Sequence, residues 1–170
     1  ERKLECVEHI LRECNRLNRM VENVLDMGRI ESERLFMHCQ GGDLVSFLGD
    51  TAREMSMAPG GRPVDVVASV GALEIDADWD KLKQVVINLL DNAFRFSPPE
   101  TKVLLTCDLE DGSAVLRVKD MGPGIAPESR DRLFEKFTQS KASGMEGGLG
   151  LGLYIVRTFV EAHGGRVWLE

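Results

Sequence analysis

The run KLKQVVINLLDNAFRFSPP, residues 81–99, carries two helical faces at once. Leu82, Val85, Val86, Leu89, Leu90 and Ala93 recur at spacings of three and four and form one apolar stripe. Asn88, Asn92 and Arg95 lie at i, i+4 and i+7, so they stack along a neighbouring face. A face that only meets water is usually written in Glu and Lys, because Asn is a mediocre helix former. Two carboxamides and a guanidinium in line beside a core stripe therefore point to a specific neighbour, either a loop of the same chain or a ligand. Ser97-Pro98-Pro99 ends the helix, since a residue before proline disfavours the helical region.

The rest of the chain limits what that helix can serve. At 170 residues it is one domain, or one domain with an appendage. With 43% hydrophobic and 29% charged residues it is globular and large enough for a core. A formal net charge of −7, with no Lys/Arg-rich run to offset it, argues against a nucleic-acid partner held through phosphates. No apolar run approaches a membrane span and no signal peptide is visible, so these residues are expected to be cytoplasmic and without membrane contact. Cys6, Cys14, Cys39 and Cys107 form no CxxC pair and read as reduced, mostly packed thiols rather than a disulfide or zinc framework. The helical pattern is already running at Glu1, which reads as a piece of a longer protein.

Residues 1–31 read as one long helix, with Leu4, Val7, Leu11, Cys14, Asn18, Val21 and Leu25 in a 3-4 alternation and Ile10, Leu17 and Val24 widening the stripe. So wide a stripe suits a helical bundle and needs partner helices. Residues 34–39, RLFMHC, read as a short strand followed by a Gly41-Gly42 turn. Asp43 is placed to cap a helix running to about Met57, and Pro59-Gly60-Gly61 breaks it. Residues 64–70 and 73–75 read as strands, and Asp78 caps the asparagine helix. Residues 102–110 and 114–120 flank Asp111-Gly112, a strong hairpin signal. A short helix is expected over about 127–137, a mobile loop over 138–147, a glycine-fed helix ended by Gly164 and Gly165, and a strand over 166–169.

The glycine run 147–152 opens that last helix. Unpaired N–H groups there, with glycines that let backbone approach closely, suit an anion. Glycines also serve turns and tight packing. A Walker loop is excluded because Leu153 and Tyr154 follow Gly152, and a dinucleotide fingerprint because position 153 is not glycine and no strand precedes. Asp120 closes a strand before Gly122 and Gly124; as an acceptor-only carboxylate on a pocket floor it would select a donor edge, such as adenine's amine, and as an Asp before Gly it equally fits an ordinary turn.

Together these residues resemble the ATP-binding domain of sensor histidine kinases. VINLLDNAFRFSPP is similar to that family's N box, DMGPGIAP (120–127) to its first glycine box, LFEKFTQ (133–139) to its F box and GLGLGL (148–153) to its second glycine box, in the family's order. The first helix, with VLDMGRIE at 24–31, resembles the second helix of the dimerisation bundle. The resemblance implies an α+β chain: a two-layer α/β sandwich of the GHKL (Bergerat-type) ATPase fold, a mixed sheet with helices on one face. It implies residues 1–32 as an incomplete dimerisation and phosphoacceptor bundle and 33–170 as the catalytic domain.

Carried over position by position, the resemblance implies that Asn92 holds Mg²⁺ and that Asn88 and Arg95 face the phosphates of ATP. It implies Phe96 beside adenine, Asp120 accepting from the adenine amine, and Gly122 and Gly124 shaping the floor. The resemblance also implies that Ile125, Phe137 and Leu151 line the nucleotide, and that Phe134 and Phe137 anchor a lid over 138–147 hinged by Gly148, Gly150 and Gly152. The family transfers phosphate to a histidine and then to a response regulator's receiver domain, as homodimers joined through the bundle. The chain departs from the pattern in three ways. Leu149 stands where a Thr or Ser is common, only one strand follows the last helix, and none of His9, His38 and His163 sits in a His-Glu-x-x-Thr-Pro-like acceptor run. The acceptor is therefore expected upstream of Glu1. Asn88 stands where hydrolysing relatives carry a general-base Glu, which favours kinase over ATPase. The competing readings are a degenerate nucleotide-sensing or dimer-forming module and, disfavoured by the bundle-like first helix, a serine-directed kinase of the same fold.

Overall fold

The computed structural model describes residues 2–32, 35–138 and 149–170. In chain order the elements are α1 (Arg2–Glu31), β1 (Gln40–Asp43), α2 (Leu44–Met57), β2 (Val64–Ala68), β3 (Glu74–Ala77), α3 (Trp79–Phe96), β4 (Val103–Glu110), β5 (Ser113–Lys119), α4 (Pro127–Arg130) and α5 (Gly152–Ala162).

Both predicted caps form. Asp43 accepts from the Val45 and Ser46 N–H groups at the start of α2, and from the Leu73 N–H at 2.7 Å, which ties α2 to the approach of β3. Asp78 accepts from the Lys81 N–H at 3.2 Å and opens α3. The hairpin between β4 and β5 turns through Asp111 (φ 50°) and Gly112 (φ 78°), both left-handed, as a two-residue turn between right-twisted strands requires. Gly164 (φ 77°) ends α5, with the Gly165 N–H closing on the Val160 carbonyl at 2.9 Å.

The strands form a mixed three-stranded sheet, β2-β4-β5, in which β2 and β4 are parallel and β4 and β5 antiparallel, and a separate antiparallel pair, β1-β3. Register aligns Val66, Leu105 and Val118 across the sheet, and alternate β4 residues Val103, Leu105 and Cys107 are fully buried. Against that face lie Leu44, Leu48, Ala52 and Met55 of α2 and Leu82, Val86, Leu90 and Ala93 of α3. Each of the Leu, Val and Met side chains contributes about 1.5–3 kcal/mol on leaving water. A second cluster joins Val85 of α3 to Leu151 and to Ile155, Val156 and Phe159 of α5, with Met27 and Ile30 of α1 packed on its edge. This is the two-layer sandwich, with helices on one face of the sheet. Along α3, α1 is held mainly by polar contacts: Arg19 to Asp91 at 3.1 Å and Asp26 to Gln84. Farther down, its last residue, Glu31, meets Lys136 at 2.8 Å. Among the described residues no helix is long and apolar enough to cross a membrane.

Several expectations are corrected. Residues 35–39 are not a strand; the strand is Gln40–Asp43, with both glycines inside it. Gly42 is there for space, because a Cβ on it would stand 2.7 Å from Cζ2 of Trp79. The helix expected over 127–137 is only Pro127–Arg130, with turns beyond it, because nothing in 131–137 is buried. Residues 166–169 form no ladder; Glu170 meets β5 through its side chain, at 3.2 Å from Arg117. Cys6, Cys14 and Cys39 are exposed, and only Cys107 is buried, where burial pushes its thiol up. His38 lies outside any strand, and its N–H donates to Asp78. The expected lid lies outside the described residues apart from Thr138, as do Gly147 and Gly148.

Candidate functional site

Alternation of apolar and polar faces buries α3 on one side and leaves its asparagine face beside α5. Asn88 is only 9% exposed, and its Nδ2 has no hydrogen-bond partner among the described residues. Leaving a buried donor unpaired costs about 1–3 kcal/mol, so it marks a place where a ligand acceptor fits. Its Oδ1 faces α5: a Cβ on Gly152 would stand 3.3 Å away, so the glycine lets the helix start come down onto the amide. The α5 N-cap, Leu151, offers no side-chain cap, and the Ile155 N–H is the one that bonds Leu151's carbonyl, at 2.9 Å. The N–H groups of residues 152–154 thus lack helical acceptors and carry the positive end of the dipole. Leu151 itself is buried in the second cluster and anchors this end.

Gly150 (φ 67°) sits against Phe137 (φ 60°): the Phe137 N–H donates to the Gly150 carbonyl at 3.0 Å. A Cβ on Gly150 would stand 2.7 Å from the Phe137 carbonyl carbon and the Thr138 oxygen, so only glycine fits. Residues 138 and 150 therefore meet here. Phe137 is 62% exposed, while Phe134 is half-buried.

At the other end of α3, Asp120 is exposed rather than sunk in a pocket floor. Its Oδ1 accepts from the Gly122 N–H at 2.7 Å and lies 3.5 Å from the Ser97 hydroxyl, while Oδ2 has no partner among the described residues. Ser97 is buried, and its Oγ accepts from the Met121 N–H at 3.3 Å. A Cβ on Gly122 would stand 3.1 Å from the Phe96 carbonyl oxygen, so that glycine admits the end of α3. Gly124 takes φ 75° and Ile125 is half-buried, its carbonyl accepting from Arg130 at 3.4 Å.

Between these ends Asn92, one turn on from Asn88 in α3, is half-buried. The Arg95 guanidinium stands 5.2 Å from the Phe96 ring; burial, then the charge of Arg16 on α1, pushes its pKa below the ordinary arginine value. From Asn88 to Ser97 the helix runs about 13 Å. Donors gather at the α5 end and an unpaired carboxylate oxygen waits at the other, which suits a ligand with an anionic end and a donor-bearing end. No three His, Cys, Asp or Glu side chains converge on a metal-sized point among the described residues. A hard cation here would rely on amide oxygen, water and the ligand's own oxygens. A separate cavity of about 310 Å³, between the end of α1, residues 35–38 and the start of α3, mixes Asp26, Arg29, Asp80 and Lys81 without a convergent set.

The structure thus joins Asn88 to Gly152 and Leu151, Phe137 to Gly150, and Asp120 to Gly122 and Phe96. Sequence reasoning missed Ser97, which it took only as the end of a helix; the signal was a hydroxyl placed to reach back from a proline-stopped terminus.

The family described as histidine kinase-, DNA gyrase B- and HSP90-like ATPases matches residues 77–170, which hold α3, the Asp120 corner and α5. The sensor protein SrrB of Staphylococcus aureus is 30% identical over 166 residues, 96% of this chain and 28% of SrrB. The crystal structure of full-length ShkA in complex with AMPPNP is similar with a TM-score of 0.72 at 31% identity, over 94% of this chain and 32% of ShkA. A mycobacterial sensor histidine kinase, MprB, is similar with a TM-score of 0.61 at 31% identity, over 74% of this chain and 82% of the MprB chain. The chain spans 28% of the length of SrrB, one of the curated relatives that it matches.

Proposed function

This chain belongs to the family of histidine kinase-, DNA gyrase B- and HSP90-like ATPases, and from that premise we propose that it is the ATP-binding catalytic part of a sensor histidine kinase. The observation that carries the reading is the buried, unpaired Asn88 amide set against the uncapped start of α5. In this reading residues 33–170 bind ATP, and residues 1–32 are the second helix of a dimerisation bundle whose first helix carries the acceptor histidine.

Asn88 Nδ2 and the N–H groups of 152–154 donate to phosphate oxygens. Arg95 adds a cation, which stays protonated despite its lowered pKa because arginine starts so high. The half-buried Asn92 would hold Mg²⁺ through its side-chain oxygen. Mg²⁺ bound there supplies charge neutralisation across the phosphates. Asp120 Oδ2 accepts from the adenine amine, while guanine would present a carbonyl to it. Phe96, Ile125, Phe137 and Leu151 border the nucleotide, with Gly122, Gly124 and Gly150 keeping backbone room around it. Transfer breaks the bond between the γ-phosphorus and its bridging oxygen, and forms one to a histidine ring nitrogen, leaving ADP. The phosphoryl group then passes to a receiver-domain aspartate of a response regulator. Positioning and charge stabilisation do most of this work. Asn88 cannot take a proton from water, so steady-state hydrolysis is expected to be slow.

The test is a calorimetric titration with a non-hydrolysable ATP analogue and Mg²⁺, with GTP, Asn92→Ala and Asp120→Asn as controls. Binding that prefers adenine and weakens in both variants supports the site. A folded chain that binds neither nucleotide, or rapid hydrolysis abolished by Asn88→Ala, overturns the reading.

A further inference from the structure

We propose that Arg62 is a positioning residue for the nucleotide site: its guanidinium caps the last turn of α3 and so fixes Phe96, Ser97 and, through Ser97, Asp120. This rests on the ATP-binding reading above. The need for such a cap is written in Pro98-Pro99. In a helix, the carbonyl of residue 94 bonds the N–H of residue 98, but proline has none. The Ser97 N–H closes on the Ala93 carbonyl at 3.1 Å, and the turn has no further backbone donor of its own.

Arg62 supplies the missing donors from the segment before β2. Its Nη2 donates to the Phe94 carbonyl at 2.7 Å and to the Ala93 carbonyl at 3.1 Å. Its Nη1 donates to the carbonyls of Pro98 and, at 3.4 Å, Ser97. The guanidinium also lies over the Phe94 ring, 5.4 Å from its centre. Arg62 Nε is buried without a partner, so the side chain is held for its two terminal nitrogens. A cation there also complements the negative end of α3. Only a planar fork reaches several carbonyls at once; a lysine is a point contact.

What the fork fixes is the base end of the proposed site. The Phe96 carbonyl oxygen borders Gly122, and the Ser97 hydroxyl touches both the Met121 N–H and Asp120 Oδ1. A shift of the α3 terminus therefore moves the carboxylate that would read adenine. A clamp that only stabilised the fold would lower the melting temperature and leave base preference alone.

The experiment titrates the chain with Mg²⁺ and non-hydrolysable ATP and GTP analogues. Wild type, Arg62→Lys, Arg62→Met and Ser97→Ala are each measured well below their melting temperatures. The expected result is an adenine-over-guanine preference reduced about tenfold in both Arg62 variants. Arg62→Lys recovers part of the melting temperature and little of the preference. A preference unchanged from wild type in folded Arg62→Met overturns the inference. If the Arg62 variants do not fold, Ser97→Ala decides: a reduced preference supports the chain of contacts, and an unchanged one overturns it. Wild type that binds neither analogue overturns the ATP reading and this inference together, whereas wild-type preference for adenine with indifferent variants overturns only the role of Arg62.

Discussion

Asp78 shows how much one carboxylate holds in this fold. Its side chain is 4% exposed and accepts from the His38 N–H at 2.9 Å, the Lys81 N–H and the Lys81 ammonium at 2.8 Å. Burial pushes its pKa up, but the His38 and Lys81 hydrogen bonds outweigh burial and bring it down to about 2. A carboxylate whose pKa is depressed on folding contributes stability that is complete above the unfolded value near 4 and lost as pH falls towards 2. With allowance for solvent screening, the contribution is about 1–2 kcal/mol. Asp78→Asn is therefore expected to lower urea stability by at least that much at neutral pH, and the gap to wild type should narrow between about pH 4 and 2. A gap that stays constant over that range would remove the carboxylate's charge from the account. The cap on α3 was legible from Asp78 alone, but its other partners were not. His38 and His163 come from far along the chain. The Asp78 N–H donates to His163 Nε2 at 3.0 Å, and Nδ1 lies 2.7 Å from the Phe159 carbonyl.

At the scale of elements, local chemistry was legible wherever one residue type has one structural use. Asp43, Asp78, Asp111-Gly112 and Ser97-Pro98 each placed a boundary, because caps, left-handed turns and prolines act within a few residues of themselves. The glycines of β1 were misread for the converse reason. Gly41-Gly42 looks like a turn by itself, and only Trp79, packed 4.9 Å from the Phe47 ring and donating to the Gln40 carbonyl at 3.0 Å, requires a bare backbone in that strand. Gly42→Ala is expected to push the Trp79 ring aside, cost about 1–3 kcal/mol and change tryptophan fluorescence in the folded state. Thermal unfolding unchanged from wild type would show that the ring moves at no cost. Gly150→Ala makes the complementary case, since it combines a left-handed φ with a backbone clash beside Phe137. Its melting temperature should fall little because the turn is at the surface, while Mg-ATP analogue affinity falls about tenfold or more as the α5 start is displaced. Equal affinity in the variant would detach this turn from the site.

Across the whole molecule, the two apolar clusters account for the sandwich and leave most of α1 outside them. Val7, Ile10, Leu17, Val21, Val24 and Leu25 are each at least half exposed, yet they repeat along one stripe of a 30-residue helix. Among the described residues of α1, Met27 and Ile30, near its end, reach the second cluster. Among the described residues its other links to the sandwich include Arg19 to Asp91, Asp26 to Gln84 and Glu31 to Lys136, polar contacts of the kind worth about 1 kcal/mol each or less. The stripe was legible because apolar periodicity survives without knowledge of a partner. Where α1 lies along α3 was not, because isolated polar contacts leave no period to read. These two facts make a separable prediction. If the stripe serves the proposed homodimer, Leu17→Asp with Val24→Asp puts charge on the seam and touches neither cluster. Sedimentation should then show self-association weakened, while the melting of the sandwich and the titration with Mg-ATP analogue stay as in wild type. Raising the salt should act in the other direction, loosening α1 from α3 while sparing an apolar seam. A doubly substituted chain that associates like wild type would take the stripe out of the dimer. One that loses its melting transition would show that α1 stabilises the sandwich, which contacts this sparse give no reason to expect.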